Sequence, residues 1–392
     1  MNRQELRTTA SLAAVFSLRL FGLFMIFPVF EAYARGLAGA TPYLIGEALG
    51  IYGLTQGLLQ IPFGLASDRF GRKPLIVFGL LLFAAGSVMA ALSTSIAAMI
   101  FARALQGAGA VGSVILALAA DLTPEKNRTK TMALIGISIG AAFILALASG
   151  PVVAALIGVG GLFWLMAVLG LGAIAVTLWL VPEPRGLKVQ GEAEAVPALL
   201  GAVLRDGALL RLNVGIFVLH ATLTAGFLVV PGLLRATLGL TPAQDWLVYV
   251  PVLLASVAIM APAIMAADRY GNVIFIGAVA ALPASLAALY LAGHTTFVLI
   301  AALVGFFSAF NILEASLPSL ASKAAPRAAK GTALGVFSSL QFLGIFAGGA
   351  LGGFAMQRGG ADAVLLVAGG LTALWLVVAL LAPRARAPSA SG

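Results

Sequence analysis

GLASDRFGRKP, residues Gly64 to Pro74, is a short, strongly charged turn set between two long apolar runs. Its glycines allow a tight turn and a close backbone approach. Its carboxylate suits a helix N-terminus, and its cations suit carboxylates or helix C-termini. The runs on either side, Ile45 to Ser67 and Leu75 to Ser93, each have about the 20 residues that cross a hydrocarbon core. The turn therefore reads as a loop joining two membrane spans. A weaker copy, Asp268-Arg269-Tyr270-Gly271, lies 200 residues further on. The same offset pairs Lys130-Thr131-Met132-Ala133-Leu134 with Lys330-Gly331-Thr332-Ala333-Leu334. Two similar halves in one orientation are implied, with a binding site expected where they meet near the midplane.

Working outward, the first half holds apolar segments at Thr8–Tyr33, Ile45–Ser67, Leu75–Ser93, Ile96–Leu122, Thr131–Leu156 and Gly161–Val181. The second holds Ala208–Leu234, Gln244–Ala267, Val273–Leu291, Thr296–Ala321, Gly331–Met356 and Ala361–Leu381. The expected fold is an all-α membrane protein of twelve transmembrane helices, two six-helix halves related by a pseudo-two-fold axis. Residues 1–182 form the N-terminal half, 183–207 a cytoplasmic central loop and 208–392 the C-terminal half. Apolar residues are 61% and charged residues 9% of the 392, against about 45–50% and 25% in soluble domains, so lipid is the main solvent. The ten-residue alternation of a membrane barrel is absent.

The net charge of +9 is explained by topology and not by nucleic acid. With a cytoplasmic N-terminus, 18 of the 23 basic residues fall on the cytoplasmic side, among them Arg3, Arg7, Arg185, Lys188, Arg327, Arg384 and Arg386. Only Arg35, Arg235 and Arg358 fall outside, which sets both termini in the cytoplasm. The N-terminus mimics a signal peptide with Ala32-Tyr33-Ala34, but Arg19 interrupts the apolar run, so it reads as a retained first helix. Cysteine is absent and histidine is limited to His220 and His294, which removes disulfides, thiolate chemistry and a metal centre. No loop carries the clustered acids or histidines of an integral-membrane enzyme, and no cofactor is called for.

The Gly64–Pro74 stretch resembles, position for position, the loop signature of the major facilitator superfamily. Arg103-Ala104-Leu105-Gln106-Gly107-Ala108-Gly109 is similar to that family's second motif, and Asp268–Gly271 to the weakened copy in its second half. The runs Ser17–Pro28, Ile51–Val77, Asp121–Lys130 and Leu313–Ser322 resemble bacterial YajR-type proton-dependent drug-efflux proteins, without the C-terminal soluble domain of that type. The resemblance implies a monomeric transporter in the bacterial inner membrane that takes a small-molecule substrate and protons. It also implies a conformational latch of Gly64, Asp68, Arg69, Gly71, Arg72, Lys73 and Asp121. In an outward-open state Asp68 would face the helix N-terminus at Gly331 and Thr332, and Arg72 would pair with Asp121.

Ionisable groups inside a bilayer are functional candidates because burying them is costly. Glu314 leads as the proton carrier, with a permanent ion pair to an arginine as the alternative. His220, Glu31 and Glu47 are the other candidates. Cavity candidates are Arg19, Arg103, Gln106, Gln56, Gln60, Asn311 and Gln341. Tyr52, Gln56 and Gln60 make one stripe, and Asn311 and Glu314 share a face. Glycine repeats at 46/50, 53/57, 136/140 and 344/348/352 are expected at the sliding interface between halves. Gly150-Pro151 is similar to the family's antiporter motif, though Ala146, Ala154 and Ala155 stand where glycines are usual. Proton-coupled export of amphipathic or drug-like compounds is the expectation, and nutrient symport or facilitated diffusion the alternative.

Overall fold

The computed structural model describes residues 2–183, 196–292, 294–326 and 329–381. Arg185, Lys188, Glu192, Glu194, Arg327, Arg384 and Arg386 lie outside them, as does the side chain of Asp268. Helices dominate: α1 (Arg3–Met25), α2 (Phe27–Ala34), α3 (Pro42–Phe70), α4 (Arg72–Leu92), α5 (Ile96–Ala108), α6 (Gly112–Leu122) and α7 (Glu125–Trp179). After the central segment come α8 (Val196–Arg205), α9 (Gly207–Phe227), α10 (Val230–Leu238), α11 (Trp246–Met265), α12 (Ala267–Ala292), α13 (Thr296–Ala324) and α14 (Lys330–Leu381).

The starts follow local chemistry. Asn2 and Glu5 close a capping box on α1, and the Thr41 hydroxyl accepts from Leu44 N ahead of Pro42 at the start of α3. Among the described residues, nine helices are long and apolar enough to cross a membrane. Two of these, α7 and α14, have 55 and 52 residues. Straight, each would extend about 80 Å, well over twice the hydrocarbon thickness. Each breaks at glycine instead, α7 at Gly158 (φ +73°) and α14 at Gly359 and Gly360 (φ −145° and +68°).

Three apolar runs that read as single helices are interrupted: α1/α2 at Ile26, α5/α6 at Gly109–Val111, and α9/α10 at Leu228–Val229. Ile26, Val111, Leu228 and Val229 are buried, so backbone groups freed at the breaks face protein and not lipid. Trp179, Met265 and Phe297, by contrast, are at least four-fifths exposed, as expected where lipid is the solvent.

One expectation changes in the central loop. Its end forms α8, whose Val203 is buried in a cluster with Leu209, Ala329, Ala333 and Val336, against which Leu199 and Leu200 also pack. Spacing of i, i+1 and i+4 puts these three on one face, and α8 packs against α9 and the start of α14.

The glycine repeats divide by partner. A Cβ at Gly46, Gly50, Gly53 or Gly57 would strike α14 at Gly349, Phe346, Phe342 or Ser339. Gly344, Gly348 and Gly352 instead abut Phe217, Ala221 and Ala225 of α9, so this stripe is not on the seam with α3; Gly349 and Gly353 are. A Cβ at Gly136 or Gly140 would meet nothing within 4 Å. Replacing Gly53 with Val would force α3 from α14, at about 1–3 kcal/mol for overpacking. Thermal denaturation in detergent should register a lower midpoint, and an unchanged midpoint would contradict the close contact.

Candidate functional site

The charged turn is organised around Arg72. Gly71 ends α3 at φ +93°, where a side chain would be strained, and so aims Arg72 back at the helix it follows. The guanidinium pairs with Asp68 at 2.5 Å, donates to Ser67 Oγ at 2.5 Å and reaches Asp121 at the end of α6 at 3.0 Å. Lys73 donates to Val181 O and pairs with Glu183, both at 2.9 Å, which ties the turn to the end of α7. Arg69 lies over the Phe70 ring. At Gly64 a Cβ would meet only Ser113 Oγ at 3.7 Å, so this conformation does not demand glycine there.

Asp68 is 57% exposed and, among the described residues, its ion pair is with Arg72. Gly331 and Thr332 stand in the first turn of α14, a Cβ on Gly331 would meet nothing within 4 Å, and among the described residues no hydrogen bond joins either to Asp68. The expected partners of Asp68 are thus not joined to it in this conformation. Arg72→Ala and Asp121→Ala should each cut transport about fivefold, the rate equivalent of about 1 kcal/mol, and the double change should do no more. Multiplying losses in a double-mutant cycle would mean that the two act separately.

A second polar cluster sits within α1, α3, α4 and α5. Arg19 donates to the Tyr52 hydroxyl and to Gln56 Oε1, Gln56 donates to Gln60 at 3.0 Å, and Gln60 donates to Ser338 of α14 at 3.2 Å. Arg103 donates to Gln106 Oε1 at 2.9 Å, and its other donors face the Ala48 and Leu49 carbonyls at 3.4 Å. Gln106 donates on to Ser87 at 2.8 Å, and both arginines lie over Tyr52. Arg19, Arg103, Gln56 and Gln106 are 1% exposed or less. The two cations are therefore enclosed by helix packing instead of lining an open cavity, and no described carboxylate pairs with them. Neutral acceptors and an aromatic face compensate their burial.

The third cluster joins α9, α13 and α14. Glu314, whose side chain is 33% exposed, places Oε2 3.6 Å from His220 Nε2. Gln341 Nε2 stands 3.1 Å from Glu314 Oε1 and 3.0 Å from His220 Nε2. His220 Nδ1 lies 3.2 Å from the Ile216 carbonyl, which only accepts, so Nδ1 carries a hydrogen. Glu314 pairs with His220 and not with an arginine. Asn311, one turn before, donates to Ser256 of α11 at 2.9 Å instead of joining the cluster. The His220 ring stands edge-on to Phe310, and Phe310 stacks on Phe143 of α7 with centroids 5.6 Å apart.

Glu31 and Glu47 lie toward the end of the molecule opposite Asp68. Glu31 is bound to Arg35 in a recess that Leu228 and Met356 also line, while Glu47 Oε2 is buried without a hydrogen bond. Neither bonds to the Glu314 cluster. No group of three or more His, Cys, Asp or Glu among the described residues could hold a metal. Ser256, Ser338, Ser87 and the Ile216 carbonyl enter these networks without any signal in the sequence, because their roles depend on which helices become neighbours.

Apolar helices long enough to cross a membrane, with charged groups enclosed between them and a cation-rich turn joining α3 to α4, are the setting in which the chain's relatives place it among transporters. The sequence model of the Major Facilitator Superfamily matches residues 12–349 and 215–392, and the chain belongs to that superfamily. It is 45% identical to the inner membrane transport protein YajR of Escherichia coli (strain K12), over 97% of this chain and 84% of that protein. It is 29% identical to the multidrug resistance protein MdtH of Aeromonas hydrophila, over 92% of this chain and 91% of that one. In fold it matches the nucleoside transporter NupG (TM-score 0.71, 16% identity, 97% and 98% of the chains). It also matches the human organic anion transporter MFSD10 (TM-score 0.70, 20% identity, 97% and 100%). The relatives and the fold are those of transporters, not enzymes.

Proposed function

We propose that this chain is a proton-coupled antiporter that exports small amphipathic or drug-like molecules by alternating access. The observation that carries the reading is the Glu314–His220 pair. Among the described residues it is the one carboxylate paired with a histidine inside the membrane-crossing helices, and water can reach it. A carboxylate and an imidazole side by side offer two acceptors for one proton, which the guanidinium groups of Arg19 and Arg103 do not. The naming of MdtH as a multidrug resistance protein favours export, as do cavity helices rich in Leu, Phe and Ala.

Counting α7 and α14 as two crossings each and adding α3 makes twelve, which supports two six-helix halves, 1–182 and 208–392, joined by 183–207. The charge distribution supports two cytoplasmic termini in a bacterial inner membrane, and we read the protein as a monomer. Contacts of α3 with α14 from Gly46 to Gly57, together with the free Asp68 end, fit an arrangement open to the cytoplasm. On this reading the Gly64–Lys73 turn is the latch that closes on Gly331 and Thr332 in the opposite state. Inverted vesicles energised by respiration should accumulate a fluorescent amphipathic dye above the level of vesicles lacking the protein, and lose it when the pH gradient is collapsed. Accumulation that survives the collapse would overturn proton coupling.

A further inference from the structure

Gln341 has one amide nitrogen, with two hydrogens, between two acceptors on other helices. Resting on the proton-site reading above, we infer that Gln341 is the positioning residue that sets the proton affinity of the Glu314–His220 pair and reverses its amide when the pair takes a proton. The argument is one of hydrogen inventory. With Glu314 ionised and His220 neutral, one amide hydrogen goes to Glu314 Oε1 at 3.1 Å and the other to the His220 Nε2 lone pair at 3.0 Å. Since His220 Nδ1 already donates to Ile216 O, this arrangement gives Gln341 Nε2, the His220 Nε2 lone pair and Glu314 Oε1 each a partner and leaves Glu314 Oε2 without one.

An added proton has two seats, His220 Nε2 or the carboxyl group. Glu314 Oε2, buried and without a hydrogen bond, faces Nε2 at 3.6 Å and is ready to share it. On Nε2 the proton removes the lone pair that Gln341 was donating to, and two N–H groups then confront each other. On the carboxyl group it replaces a charged acceptor with a weaker one. The amide relieves the first conflict by turning its oxygen toward the new N–H, and at low pH, with both seats filled, the protonated carboxyl and the reversed amide are present together.

Other charges around the cluster are engaged elsewhere or lie at helix ends. On the elements packed against α13, Arg235 of α10 pairs with Asp245 ahead of α11, Arg269 of α12 lies over Tyr270, and α14 carries Lys330, Arg358 and Asp362 near its start and its break. On those packed against α9, Glu31 of α2 is bound to Arg35, and Asp68 of α3 to Arg72. Glu47 and Arg69 of α3, Arg205 of α8 and Arg211 of α9 itself lie toward helix ends. None forms an ion pair with Glu314. Phe342, the next residue after Gln341, lies on the α3 seam against Gly53, so the amide adjoins the interface that must move.

Infrared difference spectroscopy of the protein in liposomes, titrated with pH, tests this with the proton itself as ligand. In the parent the carbonyl stretch of a protonated carboxyl should rise as pH falls, together with a shift of a glutamine carbonyl band, and Glu314→Gln should remove the carboxyl band. Gln341→Met, which keeps volume but cannot donate, should move the midpoint of that band upward by about one pH unit, the effect of losing a charge-assisted hydrogen bond, and abolish the glutamine shift. Gln341→Glu, which keeps shape but adds an acid, should also move it upward. If Glu314→Gln removes the band while both Gln341 variants keep the parent midpoint, the role of Gln341 is overturned and the proton site stands. If Glu314→Gln leaves the band intact, the proton-site reading itself fails.

Discussion

Glu314→Gln should abolish proton-driven accumulation, a loss of about a hundredfold or more, while substrate binding stays within about threefold. Glutamine copies the shape of the protonated acid and still meets Gln341 and His220, so packing in α13 is kept. What it removes is the second state. A transporter whose pair cannot release and rebind a proton has no differential interaction with which the gradient can bias one conformation over the other, and tight binding without such a difference shifts nothing. Exchange of substrate between loaded sides should therefore survive in Glu314→Gln, since it needs only the alternation. The decisive comparison is uptake in inverted vesicles under an imposed pH gradient, variant against parent. If the variant still concentrates substrate with the parent's pH profile, Glu314 is a structural charge and coupling must lie at Glu31, Glu47 or Asp121.

The second large effect is expected at the other end of the molecule. Asp68→Asn should reduce transport about tenfold with the protein still inserted in the membrane. The carboxylate holds Arg72 at 2.5 Å in the present conformation. In the closed-latch conformation it would sit at the positive end of α14, an interaction worth up to about 2 kcal/mol in a partly buried setting. Asparagine keeps the volume and loses the charge in both. Because the residue is 57% exposed here, little stability should go with it. Equal amounts of variant and parent in membranes, with transport cut, would fit a switching role. Near-normal transport would remove Asp68 from the latch.

The chain's sequence made some of this legible and hid the rest for definite reasons. Membrane segments announce themselves by length and polarity alone, and the turn at Gly64–Pro74 is local, so Gly71, Arg72 and Asp121 could be read from neighbouring residues and a family resemblance. Breaks at Ile26, Gly109–Val111 and Leu228–Val229 were not legible, because within an apolar run nothing in composition marks where backbone hydrogen bonds will be given up to tertiary neighbours. Glu314 and His220 were visible as isolated charges, but their meeting depends on how α9 and α13 pack across 94 residues of chain, as the sequence numbers give. Arg19 and the Tyr52, Gln56 and Gln60 stripe were each visible too, yet nothing indicated that one was the other's partner. For α14, spacing alone could not tell the glycine face that meets α9 from the face that meets α3.

Proton coupling in the export direction is tested most directly by the movement of the proton itself. In sealed inverted vesicles with an acid interior and a trapped pH indicator, adding a transported compound outside should raise the internal pH as each molecule enters against a departing proton. The rise should be absent with Glu314→Gln. Uptake with no pH change, or with further acidification, would contradict antiport and leave a facilitator or a symporter in its place.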